Sequence, residues 1–214
     1  DGKYIQFPQW WPGRYLIKVA DRIPEKVFSV IKNIKTENHL ALDDCSKAVL
    51  QMPQDFLNRN FKDINKLCDK WLEVKYVGFI YYQAADLLKK YIESKNFDGA
   101  IDLFDVLSKV KKIDKEESKF RFEHYHFGEI VKNQLPKLIN VSPKVIIDII
   151  EKRLKEALKN GHGEDHSSIW RPAIEEHEQN WSHEDARDVF VTILRDAAEV
   201  FAKKSPKDCI VLLN

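Results

Sequence analysis

Two imidazoles and two carboxylates crowd Gly161-His162-Gly163-Glu164-Asp165-His166, the one stretch of the chain whose residue types look chemical. A divalent cation accepts that ligand mixture, so a metal-dependent hydrolase built on His162, Glu164, Asp165 and His166 is one reading of the chain. Against it, a short unconstrained loop does not by itself fix a tetrahedral site, and the two histidines lack the HExxH spacing that puts both on one helix face. A solvated loop between helices is the preferred reading, and no metal is assigned. Glu175, Glu176, His177 and Glu178, then His183, Glu184 and Asp185, add more carboxylates and imidazoles nearby. Helix starts account for most of them: Ser182 with Asp185 is a variant capping box, and the helix dipole favours acids in a first turn. The chain contains no His-Asp dipeptide, so a phosphohydrolase of the HD type loses its main support.

Trp170 and Arg171 are a pair of the kind that anchors protein interfaces, and they are the candidate partner-binding residues. The competing reading packs Trp170, Ile174 and Trp181 onto a neighbouring helix with Arg171 reaching to solvent. His124 and His126 flank Tyr125 in an aromatic run and read as packing residues. No GxxxxGK[ST], GxGxxG or GxSxG motif occurs. Phosphate cradling, a dinucleotide fold and a hydrolase elbow are therefore unsupported. No catalytic residue and no cofactor are assigned, and the chain is expected not to be an enzyme. The densest basic run, Lys109, Lys111, Lys112, Lys115 and Lys119, is interrupted by Asp114, Glu116 and Glu117. Nucleic-acid binding by a helical repeat is thus kept as an alternative, while 35 basic against 34 acidic residues, a formal charge of +1, give it no general electrostatic support.

The elements that would position these residues are helices. Only 7 glycines and 8 prolines in 214 residues leave little room for the turns of a sandwich or barrel. Apolar residues instead recur at three and four. Tyr15, Leu16, Val19 and Ile23 form one stripe and Val27, Phe28, Ile31 and Ile34 the next, with Trp10 and Trp11 in an aromatic lead-in that caps the first pair. Asn38 is placed to cap a helix over 40–52, and one long helix is expected from Pro53 to Val74. Helices over 79–94 and 100–110 follow, the second restarted by Asn96. Past the charged stretch 109–119, a candidate hinge, come a helix from Phe120 to Ile139 and one over Pro143–Lys159 with Ser142 as its cap. Two more are expected over 170–179 and 184–203. Cys45, Cys68 and Cys209 are far apart, odd in number and set within apolar patterns, as buried thiols of a reduced, cytoplasmic chain would be. No apolar run approaches the ~20 residues of a membrane span, and no secretory pattern opens the chain.

A junction recurs along this pattern: Ala20 to Phe28 aligns with Val49 to Leu57, so that Pro24 and Pro53 stand 29 residues apart. Looser echoes fall at Pro143 and Pro206. Proline is tolerated where a helix begins, and helix pairs repeating this way point to stacked repeats. Phe7-Pro8-Gln9-Trp10-Trp11-Pro12-Gly13-Arg14-Tyr15-Leu16 and Ser168-Ile169-Trp170-Arg171-Pro172-Ala173-Ile174-Glu175-Glu176-His177-Glu178-Gln179 resemble stretches in the HEAT-like helical region of large bacterial multidomain proteins. Some of those carry an NTPase module and some act in defence against phage. The resemblance covers most of the chain and rests on structural segments, so it carries over no catalytic residue. It implies a sensing or scaffold segment whose enzymatic partner domain lies elsewhere. The chain opens at Asp1 and closes on Val211-Leu212-Leu213-Asn214, an apolar face, and is expected to be a segment of a longer polypeptide. The expectation is an all-α chain, 1–214 forming a single helical-repeat domain of about five helix pairs wound as a right-handed α-α superhelix. Its partner would be another protein or another domain of the same polypeptide, with no membrane involved.

Overall fold

A computed structural model describes residues 10–74, 78–109, 122–159, 199 and 202–204. Every regular element among them is helical: α1 (Trp11–Val19), α2 (Pro24–Asn33), α3 (His39–Leu50), α4 (Gln54–Arg59), α5 (Phe61–Leu72), α6 (Gly78–Glu93), α7 (Phe97–Leu107), α8 (Phe122–Val141) and α9 (Pro143–Lys159). None of these helices is long and apolar enough to cross a membrane. The chain divides into two compact units, Asp1–Val106 and Leu107–Asn214. The boundary lies just ahead of the charged stretch 109–119, of which only Lys109 is described.

In the first unit the starts and stops follow from local chemistry. Pro24 opens α2, where its missing N–H costs nothing. The Asn38 side chain accepts from the Leu40 and Ala41 N–H groups at 3.0 and 3.4 Å, capping α3 as its type predicts. The single helix expected from Pro53 to Val74 is instead two. At Asn60 the backbone leaves the helical region (φ −109°, ψ 14°), and its side-chain Nδ2 donates to the Phe56 carbonyl at 3.0 Å. An asparagine that competes for a backbone acceptor in this way favours a break over a continuous helix. α6 ends on Lys95, whose φ of 61° is the left-handed cap residue. The Asn96 N–H then reaches the Tyr91 carbonyl at 2.8 Å and the Lys95 N–H the Ile92 carbonyl at 3.1 Å, the two bonds of a Schellman motif. Asn96 next caps α7, its Oδ1 accepting from the Gly99 N–H at 3.1 Å.

α1 packs on α3, and α3 on α6. α3 and α6 run parallel in a register of 40 residues: Gln83 Nε2 donates to Asp43 Oδ1 at 3.0 Å, and Lys90 Nζ to the Leu50 carbonyl at 2.9 Å. The intervening helices meet as well. Phe28 of α2 lies edge-on to Phe56 of α4, centroids 5.7 Å apart, and Lys32 of α2 pairs with Asp63 of α5 at 2.7 Å. Asn65 of α5 is fully buried and its amide donates to the Gly99 carbonyl and Asp102 Oδ2 of α7, both at 2.9 Å. Leu42, Leu57, Ile64, Leu88 and Phe104 fill the space between. That apolar core is the main source of stability, while each buried amide hydrogen bond fixes the stagger of one helix on the next.

In the second unit α8 packs on α9, with Leu135, Leu138 and Ile139 of the first and Ile146, Ile147 and Ile150 of the second buried. α9 spans the residues its periodicity predicts. Arg153, 3% exposed, donates from Nε to Ser108 Oγ at 3.3 Å and pairs with Glu156.

Candidate interaction surface

α1 is short, so the phase of its buried face decides which side chains it offers. Gly13, Leu16 and Ala20 are buried, and Gly13 sets the phase. A Cβ on Gly13 would lie 2.7 Å from Asp44 Cγ, and closer still to Asp44 Cβ and Oδ2. Only a residue without a side chain lets α1 approach α3 there. With Gly13 facing α3, Trp11, Arg14, Tyr15 and Lys18 fall at i, i+3, i+4 and i+7, one stripe on the outer face.

Trp11 is 65% and Tyr15 64% exposed. The Arg14 guanidinium carbon stands 4.9 Å from the centroid of the Trp11 ring, a stacking worth about 0.5–1 kcal/mol at an exposed site. Asp44 lies behind Arg14. Burial raises its carboxyl above the ordinary carboxylate range and neighbouring Asp43 adds to the rise, while Lys47 and Arg14 oppose it. Asp43 is itself held by Lys47 and Gln83. The arrangement therefore presents two large amphipathic rings and two cations along the outer face of one helix.

Other polar groups of the unit are enclosed. Burial pushes the Cys45 and Cys68 thiols up to about 12, so neither offers a thiolate at neutral pH. Both are the small buried hydrophobes that their apolar settings predict. The Tyr91 hydroxyl is buried, is raised by that burial, and has no hydrogen-bond partner among the described residues. No three His, Cys, Asp or Glu side chains group to hold a metal ion among the described residues.

The residues singled out by sequence fall elsewhere. His162, Glu164, Asp165, His166, Trp170 and Arg171 lie outside the described residues, as do 170–179 and Cys209. His124 and His126 lie on α8, and only their backbone is described. Sequence reasoning missed Trp11 and Tyr15, assigning the first to a capping lead-in and the second to the inward stripe with Ile23. The structure corrects this: Tyr15 and Ile23 face outward while Leu16 alone of that stripe is buried. The signal that could have found them is Gly13, whose place in an otherwise well-filled helix marks a close approach of two backbones. Comparison with family models, curated proteins and solved structures finds no match to this chain.

Proposed function

We propose that the chain is a non-enzymatic scaffold of HEAT-like helix pairs, wound as a right-handed superhelix, that binds another protein or another domain of its own polypeptide. The observation that carries this reading is the exposed Trp11, Arg14 and Tyr15 cluster, three residues of the types that dominate interface energetics, side by side on one helix. The parallel α3 and α6 with their 40-residue register support the repeat, since HEAT units recur at about 40–47 residues. The buried free thiols suit a reducing, cytoplasmic setting. The test is a capture experiment with the immobilised chain and its Trp11→Ala/Tyr15→Ala variant, matched for helicity, in lysate with and without nuclease treatment, at low and high salt. The reading expects protein retained at both salts by the parent chain and lost with the variant. Equal retention by the variant, or nucleic acid alone released at high salt, overturns it.

A further inference from the structure

Resting on that protein-binding reading, we infer that the α1 stripe takes an acidic, extended segment of the partner carrying one aromatic or large aliphatic side chain. The stripe is cationic along its length: Arg14 and Lys18 belong to it, α1 contains no acid, and Arg22 follows beside Asp21 at 3.9 Å. Behind it on α3, Asp44 is coupled to both Arg14 and Lys47, and its neighbour Asp43 is held by Lys47 and Gln83. Lys18 makes no ion pair among the described residues. Four helical residues rise about 6 Å, which separates Arg14 from Lys18 along the axis. An extended peptide advances about 6.7 Å over two residues and returns to the same face. Carboxylates at alternate positions therefore meet both cations, and the apolar side chain lies between Trp11 and Tyr15, which share the same spacing.

A single-stranded nucleic acid also seeks cations and rings, and the geometry favours the peptide over it. Base stacking needs an open ring face, and one face of Trp11 already carries the Arg14 guanidinium 4.9 Å from its centroid. A guanidinium held over a ring through its cation–π attraction keeps its N–H groups as donors, which a carboxylate can take in the bidentate mode.

Fluorescence anisotropy of the intact chain decides the matter, with three labelled probes: a peptide alternating glutamate and serine and ending in phenylalanine, the same peptide with lysine for glutamate, and an oligouridine. The acidic peptide is expected to bind and to weaken at least tenfold with Arg14→Glu/Lys18→Glu, while that variant gains the lysine peptide. Rescue by the swapped charge separates recognition from loss of fold. Preference for oligouridine, no binding of the acidic peptide, or binding indifferent to the charge reversal overturns the inference. If the capture experiment succeeds and this one fails, the protein-binding reading stands and only the acidic partner is wrong; if capture fails, both fall.

Discussion

Gly13→Ala is the substitution that best interrogates how α1 is seated. Two effects of opposite sign compete. Alanine favours a helix over glycine by at most about 1 kcal/mol, which alone would stabilise α1. Against this, the new methyl would sit 2.7 Å from Asp44 Cγ and nearer to Asp44 Cβ. The carboxylate can rotate aside, but Asp44 Cβ is fixed to the α3 backbone, so the helices themselves must part. Overpacking of that kind costs about 1–3 kcal/mol. The net expectation is a loss of about 1–2 kcal/mol, or a melting temperature lower by several degrees for a unit of roughly 100 residues. Thermal and denaturant unfolding followed by circular dichroism give the number. In an Asp44→Gly background the clash is gone, and Gly13→Ala should become neutral or stabilising, so the two sites should couple by at least about 1 kcal/mol in a double-mutant cycle. A single variant as stable as the parent chain, or more so, would refute the seating of α1 on α3 and with it the outward phase of Trp11 and Tyr15.

Three further outcomes follow from the same geometry. Tyr91→Phe should leave stability unchanged or raise it, because a buried hydroxyl without a partner carries a desolvation cost of about 1–3 kcal/mol; a loss above about 1 kcal/mol on chemical denaturation would show that the hydroxyl is hydrogen-bonded after all. Lys95→Gly should stabilise by up to about 1 kcal/mol, since the φ of 61° is strained for any residue with a side chain, and a lower melting temperature would count against the Schellman cap. Asp44→Asn tests the raised carboxyl. A folded value above the unfolded one means that ionised Asp44 costs stability at neutral pH and that the cost disappears as pH falls through its folded value, so the variant should melt higher than the parent at pH 7 and equally in acid. A variant that melts lower at pH 7 would mean that Lys47 and Arg14 outweigh burial.

The helical class was legible because apolar residues recur at three and four through most of the chain, and several ends were legible because a proline or asparagine marks them. Pro24, Asn38, Asn96 and the span Pro143–Lys159 fall where local chemistry places them. The break at Asn60 left no trace in the periodicity, since Phe56, Leu57, Phe61 and Ile64 keep helical spacing across it; the cause is one amide reaching back to the Phe56 carbonyl. The exposed face of α1 was hidden for a related reason. Counting every aromatic as apolar placed Tyr15 inside, and a helix of nine residues is too short for its pattern alone to fix the phase. That phase comes from a tertiary contact, Gly13 against Asp44, in which the decisive feature is the absence of a side chain.

The central claim is that the outer face of α1 touches a protein partner, and site-specific photocrosslinking tests it most directly. A benzophenone amino acid replaces Tyr15, with Val145 of α9, 43% exposed, as the control position. Irradiation in cell lysate is expected to give a discrete protein adduct from position 15, absent from position 145 and suppressed by the acidic aromatic peptide. No adduct at position 15, the same adduct from both positions, or an adduct removed by nuclease would contradict the account.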